Sequence, residues 1–341
     1  MRCDNDWDTL KEIIVGTADF ATIPDPNISV LKCHFPEYEE SYVKNQSGYY
    51  PKQIIEEQNE DLQTLVDCLE SLGVKVHRPN TKWAKEDIKS PSWFGKNWHY
   101  YSPRDMHLII GDTILEAPSP IWNRQFESWG YRHIFMDLWK RGYKWFKAPT
   151  PILEDHNYKE DTNGVPSLNN IEILFEAANC IRVNNDIIYQ ISNTGNLLGS
   201  EWLQSVLPEY NIKTYDSIYS YSHLDSTIIP LREGLVLYNA SRVNLSNEPE
   251  IFKKWDKIWI EECKKSNTNF GLPWGASEWI GLNMLSVSPS LAIVDRKQKE
   301  VHDKLNKAGI NTIPLELRHD RLLAGGFHCV TLDLVREKIN E

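Results

Sequence analysis

The sequence predicts an α/β fold of five strand–strand–helix–strand units, disposed radially and closed by the two ends of the chain. Three features carry this expectation. A helix running through glycine into a short strand recurs along the chain. Pairs of apolar runs broken by a turn stand ahead of most copies. The one unit without an intact pair has a lone apolar run near each end of the chain to complete it.

The first helix-to-strand passage is the clearest. Leu62, Leu65, Val66, Leu69 and Leu72 recur at helical spacing, Gly73 offers a C-terminal cap, and Val74-Lys75-Val76-His77 alternates as a strand does. The same order appears at Leu138-Trp139-Lys140-Arg141-Gly142 before Tyr143-Lys144-Trp145, and at Leu305-Asn306-Lys307-Ala308-Gly309 before Ile310-Asn311-Thr312-Ile313. Looser copies span residues 202–215 and 251–260. Four hairpins are expected: 107–117 around Gly111-Asp112, 180–191 around Asn184-Asn185, 227–240 around Glu233-Gly234, and 284–295 around Ser288-Pro289. For the remaining unit, residues 11–16 and 327–335 supply one strand each and residues 54–72 the helix. No linker or low-complexity run divides the chain, so residues 1–341 are expected to form one domain, with 148–170 and 266–275 as loops between units. An ordinary mixed sheet with the same element order is the competing architecture.

Composition narrows the function classes. With 25% charged and 41% apolar residues in 341, including thirteen Trp, the chain suits a globular protein with a sizeable core. A formal net charge of −11 disfavours nucleic-acid binding, which draws on clustered Lys and Arg, and suits small cationic or zwitterionic ligands. The start Met1-Arg2-Cys3-Asp4-Asn5-Asp6 has no apolar signal region, and no run approaches the roughly 18 apolar residues of a membrane span. A cytoplasmic location with no membrane partner is therefore expected. Six cysteines are scattered with no C-x-x-C pair, and no HExxH helix or glycine-rich phosphate loop appears, so no metal is expected. A homodimer is the default assembly, because closed twofold assemblies are the commonest kind.

The residues able to do chemistry fall into register with the units. Asp105 precedes the first hairpin, Glu176 the second, His223 and Asp225 the third and Ser277 the fourth, while Cys329 sits near the start of the closing strand. If first strands line the axis, all of them meet at one mouth. A free cysteine is ordinarily a buried packing thiol; Gly325-Gly326, just ahead of Phe327-His328-Cys329, permits close backbone approach and favours a nucleophile. Glu176 stands out because Ile173-Leu174-Phe175-Glu176-Ala177-Ala178 is otherwise apolar, and carboxylates are seldom buried unpaired. Alone, His223 reads as a surface-loop histidine and Asp105 as a solvated turn acid; register makes their case. His328 is a competing base, but neighbours on an extended strand point to opposite faces, so it is expected to turn away from whatever Cys329 faces. Trp93, Phe94, Trp98, Tyr100 and Tyr101 are expected to pack and carry no role. A thiol, a distant histidine and several carboxylates together suit covalent chemistry on a guanidinium.

These residues resemble those of the amidinotransferases, within the guanidino-group-modifying superfamily. The resemblance runs over most of the chain, from Asn5-Asp6-Trp7-Asp8-Thr9-Leu10-Lys11-Glu12-Ile13-Ile14-Val15-Gly16 through Pro103-Arg104-Asp105, Glu116-Ala117-Pro118, Gly199-Ser200-Glu201-Trp202 and His223-Leu224-Asp225 to Gly325-Gly326-Phe327-His328-Cys329. It implies a five-bladed α/β propeller, no cofactor, and small-molecule partners: an arginine donor and an amine acceptor, glycine by default, with lysine, an inosamine phosphate or an amine of a natural-product pathway equally compatible. By motif, Cys329 resembles the nucleophile, His223 its proton carrier, and Asp105 and Asp225 the pair gripping the guanidinium. Arg242 and Ser277 resemble the residues that hold the donor carboxylate. Where amidinotransferases read Phe-Asp-Ala-Ala-Asp, this chain reads Phe175-Glu176-Ala177-Ala178-Asn179. The triad acid is thus Glu176, as in the related arginine deiminases and dimethylarginine hydrolases, and Asn179 replaces a second acid near the substrate. The resemblance therefore implies amidino transfer with ornithine release, with hydrolysis to citrulline or a non-catalytic arginine-binding propeller as alternatives.

Overall fold

Five three-stranded sheets share one order, an antiparallel pair followed by a strand parallel to its second member. The computed structural model describes residues 2–265 and 270–338. The first sheet joins Thr331–Glu337, Thr9–Val15 and Lys75–His77. The second holds His107–Ile110, Thr113–Glu116 and Lys144–Lys147, and the third Cys180–Val183, Asp186–Gln190 and Asn211–Tyr215. Ile228–Arg232, Leu235–Asn239 and Asp256–Ile260 form the fourth, and Leu285–Ser288, Leu291–Asp295 and Asn311–Leu315 the fifth. All four expected hairpins are present, and Asn184 and Gly234 take the positive φ their turns require. The five sheets do not join into a closed barrel among the described residues, and their repeated order is compatible with a pseudo-symmetric propeller.

The first sheet ties distant parts of the chain together. Leu10 lies opposite Arg336, Ile13 opposite Asp333 and Val15 opposite Thr331. Helix Lys52–Ser71 covers this sheet with Ile54, Leu62, Leu65, Val66 and Leu69, all buried in one core with Leu10, Ile13, Val15 and Val74. Burying each such side chain stabilises the fold by about 1.5–3 kcal/mol. The helix ends as Gly73 takes φ 79° and Val74 N–H donates back to Leu69 O at 3.0 Å. Helices Ser128–Lys140 and Lys299–Lys307 end in the same way at Gly142 and Gly309, with Tyr143 and Ile310 reaching back to Leu138 and Leu305.

Three local readings need correction. The fourth unit has a single 3₁₀ turn, Glu250–Phe252, in place of a helix. Its Asn244 and Asn247 side chains accept from nearby backbone N–H groups and Pro249 follows, so side-chain turns replace the helical ladder. Residues 148–170 are not wholly loop, since Tyr158–Glu160 pairs with Pro166–Leu168. The closing strand begins at Thr331 rather than at 327, and residues 327–330 form a turn. Of the loop expected over 266–275, residues 266–269 lie outside the described residues. No helix among the described residues is long and apolar enough to cross a membrane.

Candidate active site

The segments leading into the first strands converge on one cavity of about 340 Å³, which Asp105, Glu176, His223, Asp225, Arg242, Ser277 and Cys329 all line. Asp105 comes from a single helical turn, Pro103–Met106, whose proline starts it just ahead of strand His107–Ile110. Glu176 precedes the turn Ala177–Asn179 that feeds Cys180–Val183, and its N–H donates to Thr194 O at 2.9 Å. His223 adopts a positive φ of 65°, an uncommon backbone state for a non-glycine residue. Asn179 does not line the cavity. Its Oδ1 accepts from the His223 N–H at 3.2 Å, so it fixes the strained histidine backbone instead of touching substrate space.

A turn at 327–330 stands where a strand was expected, yet His328 stays out of the cavity that Cys329 lines, as expected. Val330 N–H donates to Gly326 O at 3.0 Å and Thr331 Oγ1 to Phe327 O at 2.7 Å, so strand alternation does not govern the two side chains. His328 Nδ1 lies 3.0 Å from Asp225 Oδ2, and Cys329 Sγ donates to that same oxygen at 3.1 Å. Asn283 Oδ1 accepts from the backbone N–H groups of both His328 and Cys329 at 2.9 Å, and Arg104 Nε reaches His328 O and Thr331 O at 2.9 and 3.0 Å. The paired glycines act as expected from the sequence. A Cβ on Gly326 would come 2.6 Å from that of Asn283, and one on Gly325 would come 2.9 Å from the Tyr101 ring.

Charges in the cavity are arranged in opposing pairs. His223 Nε2 meets Glu176 Oε2 at 2.7 Å, while Nδ1 lies 3.7 Å from Asp105 Oδ1. Burial opposes a charged imidazole, yet Asp105 and Glu176 raise His223 to about 9. Burial likewise opposes ionised Glu176, and Arg124 with His223 holds it well below the usual carboxylate range. Asp225 is held low against its burial by His328 and His223. Burial pushes the Cys329 thiol far up, and the charges of Asp225 and Asp105 push it further. The resting pair is therefore thiol and imidazolium. Asp105 is raised by burial, and among the described residues its Oδ1 makes no hydrogen bond.

Arg124 was not foreseen. Its Nη1 bonds Asp105 Oδ2 at 2.9 Å and Glu176 Oε1 at 3.1 Å, and its other edge pairs with Glu127. Several buried carboxylates demand a cation, but 37 Lys and Arg were available to supply it. Trp98, assigned to packing alone, also lines the cavity, with Arg124 5.3 Å from its ring centroid. His34 lines it too, and burial followed by Arg124 lowers its imidazole to about 3. Toward the mouth, Arg242 lies 3.8 Å from the Tyr219 ring centroid and donates to Thr227 Oγ1 and Ser277 Oγ at 2.8 Å each. Taken together, the deep end presents carboxylates and a thiol to a planar cation, and the mouth presents a fixed arginine.

No family model matches the chain. It is 40% identical over 333 residues to inosamine-phosphate amidinotransferase 1 of Streptomyces griseus, covering 97% of this chain and 96% of that protein. It is 31% identical over 353 residues to the mitochondrial glycine amidinotransferase of Xenopus laevis, covering 97% and 82%. The solved structure of the Streptomyces griseus inosamine-phosphate amidinotransferase superposes with a TM-score of 0.95 at 40% identity, over 100% of this chain and 98% of that one. The chain belongs to the amidinotransferase family, within the guanidino-group-modifying superfamily.

Proposed function

We propose that this amidinotransferase moves the amidino group of L-arginine through a covalent intermediate on Cys329 to an acceptor amine, releasing L-ornithine. The observation that carries the reading is the Cys329 thiol on Asp225 at 3.1 Å, in the cavity that also holds the His223–Glu176 pair and Asp105. A guanidinium carbon is resonance-stabilised and a poor electrophile. It needs a soft nucleophile and fixed charges that orient the cation.

Asp105 and Asp225 flank the donor guanidinium, and Arg242 with Ser277 takes the donor carboxylate. The docked cation lowers the thiol's affinity for its proton, which leaves to solvent. The sulfur then bonds to the guanidinium carbon as the bond from that carbon to the side-chain nitrogen breaks. Imidazolium His223, held by Glu176, gives its proton to the departing ornithine amine. An amidinium thioether remains. The acceptor amine attacks its carbon, neutral His223 takes the amine proton, and the carbon–sulfur bond breaks to return the thiolate. These steps need no metal or organic cofactor and give ping-pong kinetics. Asn179 acts here through the His223 backbone rather than as a substrate contact. In this reading residues 1–341 form one domain whose five sheets are propeller blades, with the site at their shared mouth.

The test is incubation with arginine and a panel of amines, followed by mass spectrometry of products and of the intact protein. Ornithine, a guanidino derivative of one amine and a transient amidino adduct lost in Cys329→Ala support the reading. Citrulline in place of ornithine would establish hydrolysis instead. Retained ornithine release by Cys329→Ala would remove the covalent step.

A further inference from the structure

A third arginine, besides Arg124 and Arg242, lines the cavity and has no part in those steps. Arg321 lies between strands Asn311–Leu315 and Thr331–Glu337, in the segment that also carries Cys329. Its carbonyl accepts from the N–H groups of Gly275 and Ala276 at 3.0 Å each, which fixes it against the loop bearing Ser277. Its Nε donates to Ala276 O at 3.2 Å, and its guanidinium lies 4.3 Å from the centroid of the Trp274 ring. Trp274 is itself held, its N–H donating to Tyr38 Oη at 2.9 Å.

Contrast with Arg242 shows what is unusual. Arg242 donates through Nη1 to Ser226 Oγ and Thr227 Oγ1 and through Nη2 to Ser277 Oγ, which leaves one Nη2 hydrogen for a ligand carboxylate. Among the described residues, neither Nη of Arg321 donates a hydrogen bond, and no carboxylate pairs with it. Glu278, which also lines the cavity, pairs with Lys265 at the surface and not with Arg321. A guanidinium stacked on an indole, anchored at Nε and free at both Nη groups, is a preorganised fork for a carboxylate or phosphate. In that reading the donor guanidinium is taken by Asp105 and Asp225 and the donor carboxylate by Arg242 with Ser277, and neither contact uses Arg321. This spare cation is available to a different molecule.

We infer that Arg321, backed by Trp274, is an acceptor subsite that binds a carboxylate or phosphate group on the amine receiving the amidino group. This rests on the transfer reading above for the identity of the occupant. An acceptor so held carries its amine on one end and its anion on the other, and the site discriminates against amines lacking the anion.

The test separates the two ideas. Calorimetric titration with acetate and with inorganic phosphate, in saturating L-ornithine to occupy Arg242, reads the subsite without catalysis. Binding of at least one anion by the wild type, weakened at least tenfold in Arg321→Gln and only partly restored by the point charge of Arg321→Lys, is expected; which anion binds tells carboxylate from phosphate. Absence of binding by both, or equal binding in Arg321→Gln, overturns the inference. With glycine, O-phosphoethanolamine and ethanolamine as acceptors, Arg321→Gln should lose at least tenfold more kcat/KM for the anionic amine used than for arginine. An equal loss with ethanolamine, or a loss confined to the KM for arginine, also overturns it. Failure of the wild type to release ornithine from arginine would defeat the transfer reading alone, leaving the anion titration to judge Arg321.

Discussion

His328 and Cys329, consecutive in the chain, reach the same oxygen of Asp225, at 3.0 and 3.1 Å. One carboxylate oxygen thus divides its charge between an imidazole and the nucleophile. Removing the imidazole leaves that charge facing the sulfur, which opposes thiolate formation. His328→Asn is expected to slow iodoacetamide alkylation of Cys329 at fixed pH by on the order of tenfold, the factor that corresponds to about 1.4 kcal/mol. Unchanged alkylation kinetics would show that His328 does not tune Cys329.

The proton inventory sets the pH dependence. His223 holds its proton up to about 9 and the thiol holds its own beyond that, so the free enzyme carries one proton too many below about 9. Loss of one proton from the pair opens the thiolate–imidazolium form. The kcat/KM for arginine is therefore expected to climb with unit slope toward about 9. Glu176→Gln removes a charge that raises His223, so the rising limb should move to lower pH while the maximal rate falls by roughly 10²–10⁴-fold. A pH–rate series on both proteins checks the direction, and a limb that moves upward would contradict the assignment.

Asp105 lines the cavity with Oδ2 tied to Arg124 and Oδ1 3.7 Å from His223 Nδ1. Asp105→Asn keeps the shape and removes the charge that meets the donor cation. The expected loss in kcat/KM for arginine corresponds to about 2–5 kcal/mol, the usual cost of breaking a buried charge pair. Product inhibition by ornithine, which lacks the guanidinium, should change far less. Equal effects on both ligands would place Asp105 outside the guanidinium contact.

Asp333 is fully buried and meets Arg104, Arg182 and Arg336. These arginines come from three separate stretches of the chain, and Arg104 also holds the carbonyls of the nucleophile's turn. Asp333→Asn leaves three cations around a neutral amide, with Asp6, which meets Arg104 and Arg182, as their remaining acid. A destabilisation of about 3–5 kcal/mol is expected, seen as a lower urea midpoint with an unchanged slope.

Much of this was legible in the sequence because the repeat is local. Gly73, Gly142 and Gly309 mark three helix ends by one mechanism, and the turns at Asn184 and Gly234 mark hairpins. Register then placed Asp105, Glu176, His223, Asp225 and Cys329 together, because a residue just ahead of each first strand inherits a common position. What the sequence hid was non-local or sub-strand. Arg124 is one cation among many until the acids it meets are known, and Asn283 shows its value only when Cys329 lies beside it. The boundary at Thr331 was misplaced by a few residues, which hid the contact that His328 and Cys329 share on Asp225, although His328 does stay out of the cavity that Cys329 lines. Asn179 was placed at the substrate by its likeness to an acid, while its carbonyl oxygen serves the backbone of His223.

The pairing of Ile13 with Asp333 bears on how activity is acquired. The turn carrying Cys329 is seated directly before the strand that makes this pairing, so the nucleophile has no fixed position until segments from opposite ends of the sequence meet. The closure penalty grows only with the logarithm of the intervening length, but such distant contacts form slowly. On refolding, hairpins and helices are therefore expected to return ahead of catalysis, and the thiol stays open to chemical capture until the first sheet is made.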